Sequence, residues 1–190
     1  MGTLEDQEHI IKGCVEGDRR CQQRLYETFY GKMLAVCMRY AKDDDAALDV
    51  CQEGFMKVFE KLEGFGDKGS LEGWIRRIMV NTAIDHIRKD KKWVTSIEIE
   101  KVIADESDEF AEAEEDNGIW EGVTFEQLKQ CMQHLTPAYR SVFNLYVVEE
   151  YSHKEIAEML GISVGTSKSN LAKAKANMKK IILTELNIID

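Results

Sequence analysis

Proline is almost missing from this 190-residue chain; Pro137 is the single one. Proline breaks a helix from within, so its scarcity lets long helical stretches run uninterrupted. No region alternates apolar and polar residues for long, which leaves little to build strands from. No apolar run approaches the roughly 20 residues of a membrane span. The opening MGTLEDQEHIIKG is acidic and lacks the basic and apolar parts of a secretion signal. Asp6 stands where a myristoylation signal wants Ser or Thr. These absences predict a cytoplasmic protein that is not itself a membrane protein. Five cysteines (Cys14, Cys21, Cys37, Cys51, Cys131) make an odd count with no CxxC pair, which fits small core residues in a reducing compartment. His9, His86, His134 and His153 are too scattered to suggest a metal site. There is no GxxxxGK-S/T phosphate loop and no nucleophile beside a placed base, so neither a cofactor nor an enzyme is expected.

What is present is 44% hydrophobic and 32% charged, a globular composition. An all-α fold follows, with one sizeable core or two small ones. A net charge of −10 sits badly with nucleic-acid binding. Its distribution resolves the conflict. Residues 1–93 carry 16 basic and 17 acidic side chains, residues 94–126 carry 1 and 12, and residues 127–190 carry 8 and 6. The acidity is concentrated in one middle stretch.

Along the chain, residues 5–16 and 18–41 read as helices. Asp43, Asp44 and Asp45 start a third, with Leu48, Cys51, Phe55, Val58, Phe59 and Leu62 as its buried stripe. Asp49, Gln52, Glu53 and Met56 lie on a different face, which fits a solvated surface and a basic protein partner equally well. Residues 64–69 form a glycine-rich loop with an isolated Phe65. Ser70 caps a fourth helix over 71–92. On it Arg77, Asn81, Asp85 and Arg88 share one face, and Leu71, Trp74, Ile75, Ile78 and Thr82 another. An amide between arginines can bond a base edge while the cations hold phosphates. Phe65 can cover an unstacked base. A snorkelling basic helix end gives the same pattern.

The stretch from Tyr151 to Lys180 reads as two helices around a tight turn. Ile156, Ala157 and Leu160 face one way, Gly161 stops the first helix, and Ser163 caps the second. The second helix places Val164, Ser167, Leu171, Ala174 and Met178 on an apolar stripe. Thr166, Lys168, Ser169, Asn170, Lys173, Lys175 and Lys179 fall opposite. That is a helix-turn-helix with a polar-basic second helix, a shape that fits the major groove. Before it, Phe125, Leu128, Cys131, Met132 and Leu135 form one amphipathic helix. Thr136-Pro137 caps another, whose core is Tyr139, Val142, Phe143, Leu145, Tyr146 and Val147. A stand-alone helix-turn-helix regulator, an acidic helical adaptor and a cysteine-dependent enzyme are the competing readings. The regulator gives no reason for the Gln52-Glu53 face or the Phe65 loop. The adaptor does not explain two separate basic reading helices, and the enzyme needs a Cys-His pair that the sequence gives no reason to expect.

Two stretches read together resemble the extracytoplasmic-function (ECF) sigma factors of the sigma-70 family. Residues 49–59, DVCQEGFMKVF, resemble that family's D-x-x-Q-E-x-F segment, and residues 73–88, GWIRRIMVNTAIDHIR, its promoter-melting helix. Residues 151–175 resemble its −35 reader, down to Gly165-Thr166. The resemblance implies a four-helix sigma2-like domain over 1–93, an acidic linker over 94–122 and a sigma4-like domain over 123–190. It implies that Asp49, Gln52, Glu53 and Met56 dock on the clamp helices of the RNA polymerase largest subunit. Asn81 and the Phe65 loop then hold a flipped base of the −10 element, helped by Trp74, Arg77 and Arg88. Thr166, Lys168, Ser169, Asn170 and Lys173 face the −35 element. Such factors are generally held by an anti-sigma protein, often a membrane-bound one. The match thins at the second reader, where the family pattern GT-V-K/R-S-R-x-x-R-A-R becomes Gly165-Thr166-Ser167-Lys168-Ser169-Asn170-Leu171-Ala172-Lys173-Ala174-Lys175. Lysine lacks arginine's two-pronged grip on guanine.

Overall fold

Short polar side chains open the helices. In the computed structural model, which describes residues 4–66, 69–89 and 124–185, Asp18 accepts hydrogen bonds from the Arg20 and Cys21 amides and starts α2 (Arg19–Tyr40). Asp43 accepts from the Ala46 amide and starts α3 (Asp44–Lys61). Ser70 accepts from the Gly73 amide at 3.0 Å ahead of α4 (Leu71–Lys89). Each cap satisfies an amide that the first helical turn leaves bare. All regular structure among the described residues is helical. The acidic stretch over 94–122 lies outside those residues.

The chain divides into two compact units after His86. In the first, α1 (Leu4–Val15) packs on α2, and α2 on α3. Leu25, Phe29, Met33, Val36, Cys37 and Tyr40 form the buried stripe of α2, as their spacing predicts. On α3 the expected stripe is shifted. Ala47, Val50, Cys51, Gly54, Phe55 and Val58 are buried, Phe59 is half-buried, and Leu48 is 36% exposed. The cause is a close approach: a Cβ on Gly54 would collide with the Met79 sulfur of α4, so α3 turns its glycine toward α4. The core side of α4 is Leu71, Ile75, Met79, Val80, Thr82, Ala83 and Ile84, with Trp74 and Ile78 only half-buried. Lys32 of α2 pairs with Glu72 of α4 at 2.6 Å. All five cysteines are free, and burial pushes the Cys14 thiol up to about 11, which keeps it protonated and inert.

The second unit contains α5 (Phe125–His134), α6 (Pro137–Phe143), α7 (His153–Leu160) and α8 (Val164–Glu185). Thr124 with Gln127, and Ser152 with Glu155, form capping boxes at α5 and α7. Thr136 caps α6 with Pro137 in its first turn. Arg140 of α6 donates to the carbonyls of Gln133 and Leu135 at 3.1 Å, closing the end of α5. Beyond α6 the helix widens into a π turn over Asn144–Val148. Its extra residue shifts the facing side chains. Tyr146 and Val147, expected in the core, are therefore exposed, while Ala138, Ser141 and Asn144 join Val142, Phe143 and Leu145 inside. Gly161 ends α7 at φ 68°, a left-handed position that glycine takes without strain. Ser163 accepts from the Thr166 amide at 2.9 Å and opens α8. Helix α8 runs on to Glu185, with Ile182 fully buried.

Candidate nucleic-acid and polymerase interfaces

Helix α4 carries the first candidate nucleic-acid face. Trp74, Arg77, Asn81 and Arg88 recur at three-, four- and seven-residue steps and so share one side of the helix. Arg77, Asn81 and Arg88 are exposed; Trp74 is half-buried. The Phe65 ring rests on the Trp74 indole with centroids 5.4 Å apart and planes tilted by 60°. An open depression of about 590 Å³ adjoins this pair, lined by Glu60, Lys61, Glu63, Gly64, Trp74 and Ile78. Of the candidate residues only Trp74 lines that depression. The aromatic pair, the exposed amide and the guanidinium groups on this side of α4 are the groups that an unstacked base and its phosphates require.

Helix α3 carries the candidate polymerase face. Asp49, Gln52 and Met56 are exposed, and Met56 is 63% open, unusual for so large an apolar side chain. Leu48, four residues before Gln52, belongs to the same face. Spacing alone hides it, because Leu48 also fits the stripe that ends at Leu62. Glu53 is placed differently. Lys57 donates to one of its oxygens at 2.7 Å, and the His86 Nε2 lies 2.5 Å from the other. Lys57 also reaches Asp85 at 3.7 Å. The Lys57 ammonium, then His86, holds the Glu53 carboxyl well below the usual range, at about 2. Glu53 thus ties α3 to α4, while Gln52 and Met56 face outward.

The second nucleic-acid face lies on α8. Lys168 is exposed, and Thr166, Ser169 and Lys173 are half-buried at its edge. The Thr166 hydroxyl lies 2.9 Å from the Ser163 hydroxyl at the helix start. Asn170 is not on this surface: it is 2% exposed. The inward side of α8 is Ser167, Asn170, Leu171, Ala174, Met178 and Ile182. Val164, expected on that side, sits in the first turn and is 42% exposed. Helical steps of three and four allow either residue to head the stripe, and the packing of α8 on α6 and α7 selects Asn170. Sequence reasoning missed two further residues. His153, first in α7, places Nδ1 2.9 Å from the Ser167 hydroxyl, and its ring stacks on Tyr146 at 4.5 Å and 20°. Burial, then Lys168, lowers the His153 pKa.

Helices α2 to α4 and helices α5 to α8 each match a known family. Residues 25–93 match Sigma-70 region 2, and residues 125–178 match Sigma-70, region 4. RNA polymerase sigma factor SigV of Bacillus subtilis is 30% identical over 141 residues, 74% of this chain and 78% of that one. RNA polymerase sigma-H factor of Pseudomonas aeruginosa is 26% identical over 187 residues, 96% of each chain. Among solved structures, the sigma factor RpoE of Bartonella quintana, in complex with the anti-sigma factor NepR, shares the fold. Its TM-score is 0.51 at 18% identity, over 86% of this chain and 97% of that one. The chain belongs to the sigma-70 family of RNA polymerase sigma factors, in its ECF group. It directs transcription initiation by RNA polymerase and is not an enzyme.

Proposed function

We propose that the two units divide promoter recognition between them, with a sigma2-like domain over 1–93, an acidic linker over 94–122 and a sigma4-like domain over 123–190. The exposed Leu48, Gln52 and Met56, with Asp49 beside them, dock on the clamp helices of the polymerase largest subunit. An amide and two apolar side chains supply directional bonds and buried area together. Glu53 supports that face from behind through Lys57 and His86. Asn81 bonds the edge of a flipped −10 base, Phe65 and Trp74 wall it, and Arg77 and Arg88 hold the strand. Opening DNA costs a few kcal/mol per unstacked step. A pocket for the extruded base offsets part of that, so binding the open form shifts the equilibrium without ATP.

On α8, Lys168, Ser169 and Lys173 meet the −35 duplex, and Thr166 with the helix N-terminus takes a phosphate. The exposed Val164 adds an apolar contact of the kind a thymine methyl offers. Asn170 leaves this set because it is buried. No helix among the described residues is long and apolar enough to cross a membrane, which supports action in the cytoplasm. The partnership of RpoE with NepR supports an anti-sigma protein as the factor that restrains this chain.

The observation that carries this reading is the exposure of two distinct faces on neighbouring helices: Leu48, Gln52 and Met56 on α3, and Arg77, Asn81 and Arg88 on α4. Capture of core RNA polymerase by the tagged chain, followed by run-off transcription from genomic promoters, tests it. The expected result is capture that Met56→Asp abolishes, and transcripts that require the chain. A chain that neither captures core enzyme nor starts a transcript overturns it.

A further inference from the structure

The start of α8 is held by a polar pair. Ser167 is fully buried, and its hydroxyl lies 2.9 Å from the His153 Nδ1 in the first turn of α7. The imidazole is clamped on its flat side by Tyr146, 4.5 Å away and nearly parallel. Tyr146 belongs to the π turn, so one ring links three elements: the π turn, α7 and α8. The residue after Ser167 is Lys168, the most exposed cation of the candidate groove face. A rotation of α8 about its axis moves Ser167 and Lys168 together. Whatever fixes Ser167 fixes where Lys168 points.

We propose that His153 is a positioning residue for −35 recognition: its hydrogen bond to Ser167, braced by the Tyr146 ring, sets the rotation of the recognition helix and hence the aim of Lys168 into the groove. This rests on the reading of α8 as the duplex-facing helix. Apolar contacts alone leave a helix free to slide by small angles, because they are non-directional. A buried hydrogen bond is directional and short-ranged, so it selects one rotation. The neutral imidazole suits the role. Burial, then Lys168, disfavours the charged form there.

The test uses the full chain assembled with core polymerase. A −35 duplex is first selected from random-sequence DNA by the wild-type holoenzyme, and its affinity is then measured for variants. His153→Ala and Ser167→Ala each lower affinity about fivefold, the size of one lost hydrogen bond. The double variant also loses about fivefold rather than the product of the two, because both changes delete the same bond. His153→Asn, whose side-chain polar atom falls near the position of Nδ1, stays within about twofold of wild type, and core capture is unchanged throughout. Additive losses, His153→Asn as weak as His153→Ala, or a lower melting temperature with duplex affinity intact would each overturn the proposal. A selection that enriches no duplex sequence overturns the −35 reading itself, and with it the proposal. That failure shows in the wild type, before any variant is made.

Discussion

Asn81 on α4 and Asn170 on α8 carry the same side chain, and both fall on polar helix faces by sequence. The fold separates them. Asn81 is exposed between Arg77 and Arg88, on a helix whose core side is apolar except for Thr82. Asn170 is inside, beside Leu171 and Ala174, on a helix whose inward side also holds Ser167. The first candidate face thus lies on a helix whose buried side is apolar but for one hydroxyl. The second has more polar groups, a hydroxyl and an amide, in its packing, and its candidate face presents the exposed Val164 and Lys168 with half-buried neighbours. A polar residue in a reading helix can serve recognition or the placement of the helix, and burial decides which.

The largest effect should come from breaking the support under the first reader. Gly54→Leu places a side chain where the Met79 sulfur already lies. Overpacking of this kind costs about 1–3 kcal/mol, and a shift of α4 carries Trp74 and Asn81 with it. Thermal unfolding should show the first unit's transition lowered by several degrees, with the second unit's unchanged. Next is Asn170→Ala, which removes a buried polar side chain and leaves its partners unpaired, at about 2 kcal/mol. The second unit's transition should fall, while the preferred −35 sequence stays the same. A changed sequence preference at undiminished stability would place Asn170 back on the groove face. Asn81→Ala is the counterpart: about tenfold less promoter opening, near the lower end of what one base-edge contact contributes. Its melting temperature and core capture should match wild type. Equal losses of opening and capture would contradict the assigned role.

The caps and core stripes were legible in the sequence because they are local. Asp43, Ser70, Thr136 and Ser163 each cap the helix that their position predicts, and Gly161 takes the left-handed turn. The Arg77–Asn81–Arg88 face was also legible, since helical spacing alone defines it. What the sequence concealed depends on contacts between elements. Leu48 fits the buried stripe of α3 until Gly54 turns toward Met79. Tyr146 and Val147 look like core until the π turn adds a residue to their register. Glu53 looks like part of an outward face until Lys57 and His86 take both of its oxygens. The His153–Ser167 pair spans two helices with 13 residues between its members, so no periodicity announces it.

On α8, Lys168 is exposed where Asn170 is not. Lys168→Ala should lower affinity for the −35 duplex and reduce the slope of log affinity against log salt by about one, the signature of one released counterion. An unchanged slope would mean that this lysine meets no phosphate. Lys173 is half-buried, so Lys173→Ala should change the slope less than Lys168→Ala does.

The smallest effect concerns Glu53, whose carboxylate is held by Lys57 and His86 beside the candidate polymerase face. Its folded pKa of about 2 lies below the ordinary 4.5, so the fold favours the ionised form. The stabilisation is fully present above about 4.5 and is lost as pH falls through 2. The carboxylate is more than a third exposed, so solvent screens the Lys57 pair and keeps the contribution small. Glu53→Gln removes the titration. The melting temperature of the first unit should therefore fall more steeply in the wild type than in the variant between pH 5 and 2, and the two curves should converge in acid. Core capture at pH 7 separates the two roles open to this residue. A Glu53 held by Lys57 and His86 predicts capture close to wild type for Glu53→Gln, against a clear loss for Met56→Asp. A loss as large as that of Met56→Asp would mean that polymerase binding draws Glu53 away from Lys57 and His86, making this ion cluster a latch that core enzyme must open.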